Sequence, residues 1–295
     1  MKSALLLAAL AIVQAGCAAE PDAEGAGGVA QGAVTAAAAA AATRDDNLAM
    51  GNPSGATADV ADADNFLMVK PQYALSYNNS RGGANWVSWH LSSAWKGSAP
   101  RSDTFKTDTS LPTGFLRVST SFYTGTGFDR GHLCPSEDRD ASSTDNLATF
   151  LMTNILPQAP DNNRITWKAL ETYARKLVKQ GNELYIVAGG RGSGGQGSAG
   201  AAATIHGGDV TVPSHLWKVL VVLPVGSNDV ARVDDSTRVI AVDMPNDQSV
   251  NSKGWGEYRV SVDELEALTG FDFLSNVSAS VEATVEAQVD AGPIK

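Results

Sequence analysis

Four apolar, β-branched segments surround one amphipathic helix, and this order limits the possible folds more than any other feature of the sequence. Residues 86–91 alternate apolar and polar side chains, as a half-buried strand does, and residues 184–188, 216–223 and 238–242 are strand-like runs. Between the first run and the second, apolar side chains recur with helical period over residues 162–180. Strands on both sides of a helix predict an α+β fold with a central, largely antiparallel sheet flanked by helices.

The first 17 residues have the features of an export signal. Lys2 supplies positive charge, and the apolar run at residues 4–13 is too short to span a bilayer permanently. Residues 14–17, with the sequence Gln-Ala-Gly-Cys, resemble a lipobox, although an aliphatic residue is usual in place of Gln14. We therefore expect export from the bacterial cytoplasm, with lipidation of Cys17 favoured over ordinary signal cleavage. The expected destination is the outer membrane as a lipoprotein, the periplasm or the medium.

Composition predicts the boundaries of the folded part. Residues 18–62 are mainly Ala, Gly, Asp and Glu with almost no large apolar side chain, so they cannot bury enough surface to offset the entropy of ordering. We expect a flexible linker there and one folded domain over residues 63–276. The last stretch, residues 277–295, is again small and acidic, and we expect a disordered tail.

The overall charge opposes a nucleic-acid partner unless positive charge is concentrated locally. The chain has 22 Lys+Arg against 32 Asp+Glu, a net charge of −10, whereas affinity for a polyanion comes largely from neutralising phosphates. Five basic residues nevertheless lie on or beside the predicted helix: Arg164, Lys168, Arg175, Lys176 and Lys179. A modest positive patch can therefore exist on this acidic protein.

The segment Asp129-Arg130-Gly131-His132 carries groups suited to phosphodiester cleavage. A guanidinium such as that of Arg130 can grip a phosphate oxygen and neutralise negative charge as it develops. The imidazole of His132, with an unperturbed pKa of about 6.5, can take a proton from water at neutral pH. Gly131 allows a tight turn between them. Taken alone, a motif this short is more often a structural turn.

A second set of polar side chains lies along one face of the predicted helix. Asn163, Trp167, Glu171 and Arg175 follow one another at intervals of four residues. The amide oxygen of Asn163 suits a hard cation that keeps most of its waters, as Mg²⁺ does, and Glu171 could hold such a water. Arg175 could take another phosphate oxygen. The alternative is a surface helix with a Glu171–Arg175 ion pair worth about 0.3 kcal/mol.

Taken in order, these segments resemble the DNA/RNA non-specific endonuclease family, the Serratia nuclease-like ββα-metal or His-Me finger nucleases. The resemblance rests on residues 129–132, on residues 153–158 (Thr-Asn-Ile-Leu-Pro-Gln), and on the helix from Asn163 to Arg175. It extends to shorter matches at residues 85–87, 212–218 and 262–266, and so covers nearly the whole predicted domain. Several motifs that occur in the same order along the chain identify a family more specifically than any one motif alone.

The resemblance implies a ββα-metal core that cuts phosphodiester bonds with the help of a divalent ion. His132 would be the general base that activates the attacking water. Asn163 would be the single protein ligand of a Mg²⁺ or Mn²⁺ ion, with Asn162 as a neighbouring candidate that fits the spacing less well. Glu171 would orient water bound to the metal.

Three further site residues are implied by the same resemblance. Arg130 and Arg175 would stabilise the pentacoordinate phosphate, and Asn154 would help to fix the site. The chain departs from its relatives after Asn163, where Arg164 and Ile165 stand in place of a common Gln-Gly pair. The expected partners are DNA and RNA, cut with little sequence preference because contacts to phosphate and sugar carry no direct sequence information. No obligate protein partner is inferred.

Two other functions are compatible with the sequence. One is a catalytically silent surface lipoprotein that binds nucleic acid or a protein partner through the same positive patch. The other is a metal-dependent phosphodiesterase that acts on a smaller phosphate ester.

Other reactive residue types favour structural interpretations. The two cysteines, Cys17 and Cys134, exclude a disulfide framework and a multi-cysteine zinc site. Cys134 is expected to be a small buried side chain, and His90 to be packed or at a strand edge. The charge run at residues 137–140 is expected to be a solvated loop.

Overall fold

The computed structural model of the protein describes residues 40–295. The strands in these residues are β1 (Phe66–Val69), β2 (Ala74–Asn78), β3 (Gly83–Leu91), β4 (Asp129–His132), β5 (Ile155–Gln158), β6 (Asn182–Arg191), β7 (Gly195–Gly197), β8 (Gly200–Ala202), β9 (Thr204–Ile205), β10 (Val210–Thr211), β11 (His215–Pro224), β12 (Arg238–Pro245) and β13 (Arg259–Val260). Seven of them form one sheet in the order β1-β2-β3-β6-β11-β12-β13, with every neighbouring pair antiparallel. The predicted central antiparallel sheet is confirmed.

Helices cover the sheet and connect its strands. They are α1 (Ser143–Ala148), α2 (Lys168–Lys179), α3 (Asp229–Arg232), α4 (Val262–Thr269) and α5 (Ala279–Glu286), and α2 continues a π-helical stretch (Asn162–Trp167). Short 3₁₀ helices lie at Ser93–Trp95, Thr120–Tyr123, Ser136–Asp138, Met152–Asn154, His206–Gly208, Val250–Ser252 and Trp255–Tyr258. Within residues 40–295, no helix has the length and apolar character that crossing a bilayer requires.

The alternation of side chains along β11 gives the sheet two buried faces. Leu216 and Leu220 belong to the core that also contains the apolar side chains of α2. Trp217 and Val219 point the other way, into a second core closed by α4 and α5. Because both faces are covered, β11 is apolar almost throughout, which explains why its sequence is a continuous apolar run.

The folded domain begins earlier than predicted. Met50 and Ala56 are buried in the second core, and the Asn47 side chain accepts a hydrogen bond from the His90 backbone N–H at 3.1 Å. The prediction of a flexible linker up to residue 62 is therefore wrong for residues 47–57. A few apolar side chains and hydrogen bonds to the backbone hold this segment in place. Such contacts cannot be predicted from amino-acid composition. The predicted signal at residues 1–17 and the linker at residues 18–39 lie outside the described residues.

The predicted disordered tail is also wrong for most of its length. Helix α5 buries Val285 against the second core, and beyond it Asp290 forms ion pairs with Arg238 at 2.8 Å and Arg259 at 3.0 Å. Val277, Val281 and Val285 recur at four-residue intervals, so a helical apolar face was present in the sequence. The small, acidic composition around these valines obscured it.

Candidate active site

A short hairpin and the helix that follows it form the frame of the site. Strands β4 and β5 are antiparallel, with Gly131 opposite Leu156 and His132 opposite Ile155. The chain then enters the π-helical stretch and continues as α2. This β-β-α order confirms the fold unit that the sequence predicted. It brings the Asp-Arg-Gly-His motif against the start of the helix.

Gly131 is required because the Gln158 side chain passes close to its backbone. A Cβ atom at position 131 would lie 2.0 Å from Gln158 Oε1. Gln158 in turn donates to Asn162 Oδ1 at 2.6 Å, and Asn162 Nδ2 donates to the Pro245 carbonyl at 2.7 Å. Because Asn162 is buried and both of its side-chain polar atoms are engaged in the fold, the structure argues against it as the alternative metal ligand.

One open cavity of about 300 Å³ lies between the hairpin and the helix. It is lined by Arg101, Arg130, His132, Pro135, Ser136, Glu137, Asn163, Arg164, Lys168 and Glu171. The structure therefore brings together four of the predicted site residues: Arg130, His132, Asn163 and Glu171. It leaves Arg175 and Asn154 outside the cavity wall.

The His132 ring is enclosed by aromatic side chains. Its centroid lies 4.8 Å from that of Phe150, edge to face, and 5.3 Å from that of Phe105. Burial, together with the positive charge of Arg101, lowers the pKa of His132 from 6.5 to about 3. The imidazole is therefore neutral at pH 7 and able to accept a proton. Its Nε2 is buried and has no hydrogen-bond partner among the described residues.

Asn163 is oriented by a neighbouring carboxylate. Its Nδ2 donates to Asp129 Oδ2 at 2.9 Å, which fixes the amide so that Oδ1 is left as the free acceptor. Arg164 donates to both oxygens of the same carboxylate, at 2.8 and 2.7 Å. The charge of Arg164 is thus largely neutralised by Asp129, which lowers the contribution of this residue to the predicted positive patch.

Glu171 lies at the floor of the cavity above a buried lysine. Burial raises its pKa from 4.5 to about 7, although the ammonium of Lys218, 3.9 Å from Glu171 Oε1, acts in the opposite direction. Lys218 is 1% exposed, and its Nζ lies 4.2 Å from the ring centroid of Trp167 and 5.3 Å from that of Trp89. The burial of Lys218 could not be predicted from the sequence, because a lysine within a strand ordinarily reaches solvent.

Two guanidinium groups lie on the aromatic rings that enclose His132. Arg130 lies over Phe105, with 4.7 Å between its Cζ and the ring centroid, and Arg101 lies over Phe150 at 5.0 Å. Arg101 also donates to Ser136 Oγ. Arg101 belongs to a segment without regular structure far from the motif in sequence, so no local pattern could have found it.

Arg175 does not occupy the position predicted for it. Its guanidinium pairs with Asp138 at 3.1 Å and with Glu137 at 2.7 Å. Asp138 also accepts a hydrogen bond from Trp89 Nε1 at 3.0 Å, and Arg139 beside it is fully buried. The predicted phosphate contact of Arg175 stays a prediction, and the structure does not place this residue in the cavity wall. The prediction of a solvated loop at residues 137–140 is wrong, because Asp138 and Arg139 are buried. Arg175 instead anchors that loop to α2.

Asn154 holds the end of β4 from within the protein. It is fully buried, its Nδ2 donates to the carbonyls of Cys134 and Thr149 at 2.8 Å each, and its Oδ1 accepts the Cys134 N–H at 2.9 Å. Its predicted role in fixing the site agrees with these contacts, although it touches no cavity atom. We regard it as a positioning residue.

Replacing Asn154 by alanine is expected to lower the free energy of unfolding by about 3 kcal/mol, because three buried backbone groups lose their partner. Urea unfolding followed by tryptophan fluorescence measures the change. The matched control is Asn251→Ala, in which an exposed amide that contacts only Asp161 is removed. A loss no larger than that of the control would contradict the positioning role.

Comparison with known proteins decides the family. The profile described as DNA/RNA non-specific endonuclease matches residues 52–280. The chain belongs to this family. A nuclease from Nostoc sp. is 54% identical over 244 residues, which are 83% of this chain and 86% of the relative. The nuclease of Serratia marcescens is 28% identical over 250 residues, 82% and 85% of the two chains.

The fold of this endonuclease is shared with a solved relative. A crystal structure of the EndoG/EndoGI complex matches with a TM-score of 0.64 and 24% identity, over 79% of this chain and 91% of that chain. The predicted family and the predicted ββα-metal fold are both confirmed, and the chain is a metal-dependent nuclease. The charge of the site agrees: among the described residues, Arg130 and Lys168 line the cavity and form no ion pair, whereas Arg101 pairs with Asp103 and Arg164 with Asp129.

Proposed function

We propose that this endonuclease is exported and hydrolyses the phosphodiester bonds of DNA and RNA with little sequence preference. In this proposal His132 is the general base and Asn163 holds a Mg²⁺-type ion. The observation that carries the proposal is the convergence of these two side chains, from separate segments, on one cavity with several basic residues in its wall.

The donor atoms in the cavity fit a hard divalent cation. Asn163 offers an amide oxygen whose orientation is set by Asp129, and Glu171 offers a carboxylate in the same wall. Neutral and anionic oxygen atoms are the ligands that Mg²⁺ and Mn²⁺ prefer. Asn163 would hold the ion, and Glu171 would orient water beside it. When bound, such an ion supplies positive charge that offsets the charge developing on the phosphate.

His132 is suited to take the proton of the attacking water. Its neutral form is the one present at pH 7, because burial lowers the pKa of the ring. Since Nε2 is enclosed, Nδ1 is the nitrogen left to face the cavity. Packing against Phe150 and Phe105 keeps the ring in one orientation, so little reorganisation is needed when the proton moves.

The basic side chains of the wall would grip the phosphate. Arg130 and Arg101 present guanidinium groups at the His132 side of the cavity, and Lys168 lies on the helix side. Guanidinium groups bind phosphate oxygens with charge-assisted hydrogen bonds. These groups recognise the backbone of a nucleic acid, which accounts for weak sequence preference.

Cleavage of polymer substrates tests the proposal. The purified chain is incubated with supercoiled plasmid and with RNA, in the presence of Mg²⁺ or of a chelator. Internal cuts in both polymers that require the ion are expected. If nucleic acid binds but stays intact at high Mg²⁺, the chain is a binding protein. Turnover of a small model diester without cleavage of either polymer would indicate another phosphodiesterase.

We also propose that the mature protein is exported, on the basis of residues 1–17 alone. The intact mass of protein purified from its native host tests this. A mass that corresponds to a chain starting at Cys17 plus acyl groups supports lipid attachment, and an unmodified chain starting between residues 16 and 20 supports free secretion. A chain that retains residues 1–17 would contradict export.

A further inference from the structure

Three carboxylates converge where α5 meets α4. Asp263 and Glu266 lie on α4, and Glu286 is the last residue of α5. One oxygen from each lies within 4.8 Å of the others. Glu286 is 5% exposed, and its Oε1 is buried without a hydrogen-bond partner among residues 40–295. A buried carboxylate with an unpartnered oxygen therefore belongs to a cluster of like charge.

No basic side chain of residues 40–295 balances the negative charge of this cluster. Among the described residues, neither Asp263, Glu266 nor Glu286 has a basic side chain within 4.0 Å, whereas Asp290, four residues beyond α5, has two arginines. Burial, together with the neighbouring carboxylates of Glu266 and Glu282, raises the pKa of Glu286 from 4.5 to about 8. Something other than an arginine or a lysine must therefore compensate the cluster when all three carboxyl groups ionise.

The other acidic cluster of the described residues differs in this respect. Asp45, His90, Glu183 and Asp229 also lie close together, but Arg232 bridges Glu183 and Asp229 at 2.6 and 2.7 Å. The Asp45 N–H donates to His90 Nδ1, so the neutral ring carries its proton on Nε2, where a metal would have to bind. That cluster is compensated by protein groups.

We propose that Asp263, Glu266 and Glu286 bind a divalent cation of the Ca²⁺ class, which joins α5 to α4. The ligand set is made of carboxylate oxygens, which are among the ligands that Ca²⁺ takes, and the exposed side of Asp263 leaves room for water ligands. Sites with few protein ligands typically bind Ca²⁺ with Kd values of about 0.1–1 mM. The role is structural and is independent of the catalytic proposal.

Thermal unfolding of the full chain tests this site. In about 5 mM CaCl₂, compared with EGTA, the Tm is expected to rise by roughly 3 °C. Glu286→Gln should abolish this rise, and because glutamine keeps the size of the side chain while removing its charge, the variant should be at least as stable as the parent in EGTA. The matched control is Glu264→Gln, an exposed acid on the same helix outside the cluster.

A second measurement, made in a variant of the catalytic cavity, separates Ca²⁺ binding at this cluster from binding of an ion in the active site. Asn163→Ala should leave the Ca²⁺-dependent rise in Tm unchanged, whether or not Asn163 binds metal for catalysis. Failure of the catalytic proposal is thus separated from failure of this one. If Ca²⁺ does not raise the Tm of the parent chain, the proposal is overturned and the carboxyl groups share a proton only. An equal rise of the Tm in Glu286→Gln would also overturn the proposal.

Discussion

Replacing His132 by alanine is expected to lower the rate of DNA and RNA cleavage by about 10³-fold at saturating Mg²⁺, because a positioned general base contributes roughly that factor. The ring is the only imidazole in the wall of the cavity, so no other histidine can replace it there. Initial rates on plasmid and on RNA measure the effect. The matched control is His206→Ala, in which an exposed histidine outside the cavity is removed, with an expected change below about twofold.

The lower cleavage rate of His132→Ala should come from a slower chemical step. Arg101, Arg130 and Lys168 remain in the His132→Ala variant, so the affinity for nucleic acid should stay within about threefold of the parent. Removal of a ring that packs on Phe150 and Phe105 leaves a cavity, and rates are therefore compared well below the Tm of the variant. A variant that is folded and retains a tenth of the parent rate would contradict the role of His132.

The second large effect is expected for Asn163→Ala. Removing the amide oxygen should lower the rate at about 1 mM Mg²⁺ by about 10²–10³-fold, because the charge that the ion supplies is worth several kcal/mol. The concentration of Mg²⁺ that gives half-maximal activity should also rise. The two substitutions thus differ in kind: His132→Ala lowers the maximal rate and leaves the midpoint of the metal titration in place.

Arg164 provides the matched control for this titration. It is adjacent to Asn163 and binds the same Asp129 carboxylate, but its side chain is two-thirds exposed. Arg164→Ala should preserve the Asn163–Asp129 hydrogen bond and shift the metal midpoint by less than about threefold. An Asn163→Ala midpoint equal to that of the parent would contradict metal binding at this residue.

The strands and the main helix could be predicted because their side-chain pattern is local. The four segments at residues 86–91, 184–188, 216–223 and 238–242 all lie in the central sheet, where two buried faces require apolar runs. The helix predicted at residues 162–180 begins as a π-helical stretch, which places Asn163 at its first turn. The π-helical geometry could not be read from periodicity.

Two of the differences from the sequence-based expectation share a physical cause, since each depends on a partner far away in the chain. Arg175 was assigned to phosphate because it follows Glu171 at helical spacing, but its guanidinium is held by Asp138, more than thirty residues earlier. Arg101 was missed because only the folded chain brings it to the His132 pocket. Helix α5 was missed for a local reason, because its two valines, Val281 and Val285, are diluted by small and acidic residues.

In the proposed mechanism, the imidazole of His132 and a divalent ion held by Asn163 would act on the same phosphate from separate segments of the ββα unit. Crystals of the His132→Ala variant with a short DNA duplex and Mn²⁺ test it through the anomalous signal of the metal. One strong peak is expected within bonding distance of Asn163 Oδ1, beside the space left by the ring. A peak elsewhere, for example among Asp45, His90 and Glu183, with DNA bound and no metal at Asn163, would contradict it.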